Sequence, residues 1–244
     1  MKRRDATVWL VGLYAIAMAY LESAVVVYLR RIYNITDLTT SLSRFDPQIS
    51  AIEVGREAAT LVMLVTVGWI AGRSRQARIG HVFVAFGVWD IFYYVWLHVF
   101  IGWPASPLDP DLLFLIPVPW WGPVLAPSLI AALMVAGGVR AVRLADRGVR
   151  VRTSGTSIAL LGAGCALMLV SFLWDAVRVL PADAAELAAV KPGPFLWPLY
   201  LVGLAAAGAS VGHMTFPTRV RRPDPGTLTP VQPAVSGSLI PIDE

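Results

Sequence analysis

Seven ionisable residues, Glu22, Glu53, Arg56, Glu57, Asp90, Asp175 and Arg178, stand within stretches that are otherwise apolar. A charged side chain at the centre of a bilayer costs about 2.5–3.5 kcal/mol on insertion scales, so such groups face a partner, a cavity or water and mark a site by default. Glu53, Arg56 and Glu57 are spaced to share one helix face, and Asp175 and Arg178 are three apart. Fully ionised, these five carboxylates and two arginines would carry a net charge of −3. Excess buried carboxylates hold protons or recruit a cation. The chemistry open to this set is therefore the binding of a cation, protons or a small polar ligand. Arg56 and Arg178 would orient carboxylates or an anionic group, Glu53 and Glu57 would supply oxygens, and Asp90 would be the deepest acceptor. If the cation is a divalent metal ion, its candidate ligands are Glu53, Glu57, Asp90 and His98.

The elements that hold these residues are spelled out by composition. The chain has 244 residues, of which 57% are hydrophobic and 15% charged. Its apolar residues come in blocks, the pattern of a polytopic membrane protein. A membrane helix needs about 20 largely apolar residues, and six windows reach that length: 8–29, 51–72, 80–101, 123–143, 155–180 and 195–216. The expected fold is an all-α integral membrane protein, a six-transmembrane-helix bundle over residues 1–216.

Basic residues set the orientation, because Lys and Arg accumulate beside span ends on the cytoplasmic face. Lys2, Arg3 and Arg4, then Arg73, Arg75 and Arg78, then Arg140, Arg143, Arg147, Arg150 and Arg152, and finally Arg219, Arg221 and Arg222 are fourteen of the twenty basic residues. The opposite loops hold Arg30, Arg31, Arg44 and Lys191. Both termini are thus expected in the cytoplasm of a bacterial-type inner membrane. The net charge of +4 then reflects topology, with no basic domain for nucleic acid. The partner implied is the lipid bilayer, and other membrane subunits are a second class. The first helix opens like a signal peptide, with MKRR and an Ala17-Met18-Ala19 triplet, but its apolar run resumes after Glu22. An uncleaved helix is expected.

This topology sends the charges to one leaflet. Glu53, Arg56 and Glu57 fall in the outer turns of span 2, Glu22 late in span 1, and Asp175 and Arg178 late in span 5. Asp90 lies near the midplane, with His98 roughly 12 Å further out at 1.5 Å per residue. His81 and His213 fall near the cytoplasmic ends. The outer loop 102–122, rich in Pro and Trp and free of Lys and Arg, is expected at the membrane surface, as a lid over the site or as an aromatic belt anchor. Tyr93, Tyr94, Trp120 and Trp121 line a cavity or contact lipid. Residues 217–244, with six prolines, read as a disordered cytoplasmic tail. The small-residue pairs Gly68 with Gly72 and Gly208 with Gly212 read as helix-packing sites. Cys165, the one cysteine, reads as a small core residue.

No phosphate-binding GxxxxGK, HExxH or histidine box occurs, and no Glu-x-x-His of a di-iron bundle. Two alternatives therefore stand beside the binding site. The chain could be a non-catalytic subunit or assembly factor of a larger membrane complex, its charges stapling helices together. It could also be a membrane-embedded metal-dependent hydrolase.

Overall fold

The computed structural model describes residues 3–34, 47–114, 118–181, 186, 190 and 192–216. The long helices are α1 (Arg3–Ile32), α2 (Pro47–Ala71), α3 (Arg75–Ile101), α4 (Leu125–Asp146), α5 (Gly155–Val177) and α6 (Trp197–Thr215). Five of them, α1 to α5, are long and apolar enough to cross a membrane, which gives the chain the make-up of a multi-pass membrane protein. Large apolar side chains are exposed along them, Trp9, Leu13, Val62 and Ile70 among others. Such surfaces suit lipid, since a helix apolar all round belongs in a core or a bilayer. The 19-residue α6, diluted by Ala, Gly and His213, is not among the five. The tail from 217, and the basic residues Arg44 and Lys191, lie outside the described residues.

Helix ends follow local chemistry. Ser74 caps α3 by accepting from the Ala77 N–H, and Ser154 caps α5 by accepting from the Ser157 N–H; both satisfy donors that a first turn leaves unpaired. Gly102, with φ of 69°, closes α3 through its N–H to the His98 carbonyl, a left-handed cap that glycine adopts without strain. The fifth helix ends at Val177, three residues before the expected 180, because a residue preceding proline, here Leu180, disfavours the helical region. Arg178 is therefore a cap residue rather than part of the span.

α3 is the hub, packing on α4, α1 and α2, while α5 packs on α6. At one end of the bundle the Gln76 side chain donates to the Ala141 and Val149 carbonyls and accepts from the Val151 N–H. Arg140 reaches the Thr215 carbonyl there. The start of α1, the 72–74 turn, the 147–154 loop and the end of α6 thus share one end.

The opposite end adds a short hairpin to the otherwise helical fold. Within the 102–124 connection, β1 (Pro110–Phe114) pairs antiparallel with β2 (Trp120–Pro123), with Leu112 facing Trp121 and a register shift before Phe114. A correction concerns Cys165, which is exposed on the apolar outside of α5 rather than packed in a core.

Candidate functional site

Helix spacing assembles the site. On α2, Glu53, Arg56, Glu57 and Thr60 recur at three- and four-residue intervals; on α3, Phe86, Trp89, Asp90, Tyr93 and Tyr94 do the same. Together with Glu22 and Arg30 of α1 and the hairpin, these residues line a cavity of about 400 Å³. The far wall, from α4 and α5, is apolar and includes Ile130, Met134 and Phe172.

Arg56 is the clasp of the polar wall. Its Nε and Nη2 each lie 2.8 Å from Glu53 Oε2, and its Nη1 pairs with Glu22 Oε1 across to α1. The other Glu22 oxygen accepts from Thr60 Oγ1 at 3.1 Å. Glu22, Glu53 and Glu57 are all buried, so three buried carboxylates gather about one guanidinium. Deeper along α3, Asp90 is 9% exposed, and its Oδ2 has no hydrogen-bond partner among the described residues.

The hairpin supplies a second acid, Asp111, which is 2% exposed and accepts from the Tyr94 hydroxyl at 3.1 Å. Burial pushes the Asp111 carboxyl up to about 7, against the opposing pull of the Arg30 guanidinium and of hydrogen bonds from Tyr94 and the Leu112 backbone. Arg30 sits with its Cζ 4.3 Å from the Trp103 ring centroid, a cation–π stack.

Comparison with protein-family models, curated proteins and solved structures finds no match to this chain.

Five of the seven ionisable residues singled out above, Glu22, Glu53, Arg56, Glu57 and Asp90, line the one cavity. The other two lie apart. Asp175 pairs with Arg178 at 3.2 Å and accepts from the Gly193 N–H at 3.0 Å, an arrangement that closes on itself at the end of α5. His98 also points elsewhere, its exposed Nδ1 lying 2.8 Å from the Pro104 carbonyl. Among the described residues no three His, Cys, Asp or Glu side chains converge closely enough to hold a metal ion. The metal set Glu53, Glu57, Asp90 and His98 is thus not brought together.

Arg30 and Asp111 were missed in sequence. Arg30 was legible: Glu22, Val26 and Arg30 are spaced by four, a single face of α1, and the helix simply continues past the apolar window. Asp111 carried no periodic signal, because a hairpin buries it. Tyr93, Tyr94 and Trp120 line the cavity, while Trp121 is buried in the hairpin without lining it. The hairpin residues Leu112 to Phe114 do line it, as a lid would.

Proposed function

We propose that this chain is a multi-pass inner-membrane protein with both termini cytoplasmic, and that it binds a small cation-bearing ligand in the cavity between α1, α2, α3 and the outer hairpin. The observation that carries this reading is the buried Asp90 oxygen without a partner, in a cavity whose acids outnumber its bases. Glu22, Glu53, Glu57, Asp90 and Asp111 against Arg30 and Arg56 amount to −3 if all are ionised. A cationic ligand or bound protons would relieve that excess. Cavities of this size, mostly apolar with a few converging polar groups, are of the kind that take small molecules.

Transport is favoured over catalysis by a second cavity at the other end of α3. There His81, buried and with its Nε2 unpartnered among the described residues, lines a cavity of about 380 Å³ with Thr7, Arg73 and Asp146. Asp90 and His81 are nine residues apart, roughly 13.5 Å along a helix. Val84 and Ala85 lie between them on α3 and are buried with Leu64 in one apolar cluster. Polar cavities towards both ends of α3, with apolar side chains between their polar residues, are what a solute carried across a bilayer would meet on its two sides.

The test is melting of the purified protein in detergent with and without phenethylamine, beside an Asp90→Asn variant. Ligand-induced stabilisation in the wild type, lost in a normally folded Asp90→Asn, is the expected result. An Asp90→Asn protein that melts well below wild type without ligand would instead make Asp90 a structural counter-charge and overturn the reading.

A further inference from the structure

Among the described residues, six buried side-chain nitrogen or oxygen atoms lack a hydrogen-bond partner. Five of the six belong to residues lining the outer cavity: Nε and Nη2 of Arg30, the indole nitrogens of Trp89 and Trp120, and Oδ2 of Asp90. Folded proteins leave very few buried polar groups unpaired. Such a concentration in one cavity outlines the hydrogen-bonding face of whatever fills it.

That face has two poles. Nε–H and Nη2–H form one edge of the guanidinium, the planar two-pronged fork that matches a carboxylate or phosphate. Trp103 lies over the guanidinium face, and this edge has no hydrogen-bond partner among the described residues. The two indole N–H groups add donors, and all of these donors ask for acceptor oxygens. Asp90 asks for the opposite, a cationic donor. Arg30 and Asp90 line the same cavity, with Tyr93 and Tyr94 on its wall, so the two poles face a shared space. The remaining lining, including Phe86, Phe114, Ile130, Met134 and Phe172, is apolar.

We infer that the ligand is a zwitterion on an apolar frame, its acid group held by the Arg30 fork and its protonated amine by Asp90. This inference rests on the cavity being a ligand site and specifies what occupies it. A simple cation would leave the Arg30 edge and both indoles unpaired, and a simple anion would face five carboxylates. Two sources share this chemistry. One is a free hydrophobic amino acid, and the other is a phosphatidylethanolamine headgroup, with phosphate and ammonium, drawn from the bilayer.

The experiment uses the full chain in phosphatidylglycerol nanodiscs, which contain no zwitterionic lipid. Binding of L-phenylalanine is compared with phenethylamine, which lacks the acid, and 3-phenylpropionate, which lacks the amine. In parallel, lipid retained through purification from native membranes is identified by mass spectrometry. For a free ligand, L-phenylalanine should bind at least tenfold tighter than either half. For a lipid, phosphatidylethanolamine should be enriched with wild-type protein and should stabilise it when added to the nanodiscs. Arg30→Lys keeps the charge but loses the fork, and should weaken L-phenylalanine or phosphatidylethanolamine while leaving phenethylamine unchanged. Asp90→Asn should weaken the zwitterion and phenethylamine alike. Phenethylamine binding as tightly as L-phenylalanine, with Arg30→Lys silent and no lipid enriched, would overturn the zwitterion while sparing the cation site. Absence of binding by every probe and of any retained lipid would overturn both.

Discussion

At the scale of single residues, Arg56 and Asp111 make opposite predictions about charge. Arg56 joins α1 to α2 through Glu22 and Glu53, and its removal strands two buried carboxylates. Breaking a buried pair in this way costs about 3–5 kcal/mol. Arg56→Ala should therefore lower the melting temperature in detergent well below that of Arg31→Ala, whose residue is exposed on α1; equal melting would show that the clasp is solvated. Asp111 works the other way. Its carboxyl is raised from 3.8 to about 7, so between those values the folded protein holds a proton that the unfolded chain has lost. Stability contributed by this group is thus complete below about pH 4, falls as pH rises towards 7, and falls no further above that. The slope is at most about 1.4 kcal/mol per pH unit. Asp111→Asn should flatten this part of the melting-temperature profile, and an unchanged profile would mean that Asp111 is ionised throughout.

At the scale of elements, glycines decide how closely the helices approach, and only some of them were apparent in sequence. A Cβ on Gly68 would meet the Val82 backbone at 2.4 Å, and one on Gly72 the Arg78 backbone at 2.3 Å, so that pair packs α2 on α3 as its spacing suggested. A Cβ on Gly208 would meet nothing within 4 Å, and one on Gly212 only the Phe216 ring at 4.0 Å, so the expected packing site at Gly208 and Gly212 is not formed among the described residues. The close approaches not foreseen include Gly80 with Gly138 and Gly87 with Ala131, between α3 and α4, and Gly164 with Gly203, between α5 and α6. Spacing along one helix identifies small faces, but the partner on the other helix is a tertiary fact. Gly164→Val, whose Cβ would lie 2.6 Å from the Gly203 carbonyl, should force α5 from α6 and sharply reduce membrane abundance. Gly208→Ala should be tolerated. Equal abundance of the two variants in immunoblots of membranes would contradict this packing.

At the scale of the whole molecule, the distribution of basic residues and the bundle geometry bear on one question. The Gln76 side chain ties the start of α3 to the 147–154 loop, so Arg73, Arg75 and Arg78 share an end with Arg147, Arg150 and Arg152. Reporter fusions at residues 76 and 148 should be cytoplasmic, and a fusion at 108, in the loop that carries the hairpin, should lie outside. A cytoplasmic signal at 108 would invert the molecule and turn the cavity inward.

What the sequence determined by itself was the hydrophobic architecture and most of the polar wall. Block hydropathy places the helices because each span must bury about 20 apolar residues, and the three- and four-residue spacing of Glu53, Arg56 and Glu57 sets them on one face before any fold is known. These are local properties, written in consecutive residues. The tertiary structure decided which faces meet. It brought Glu22 to Arg56, sent Asp175 and Arg178 to a pairing of their own, turned His98 away, and folded the 110–123 segment into a hairpin that buries Asp111 against Tyr94. Arg30, counted by sequence as a loop charge, became part of the wall because α1 runs on to Ile32. Contacts between residues far apart in the chain depend on helix rotation and interhelical distance, which close-packed side chains and glycines set together. No single stretch of sequence encodes them.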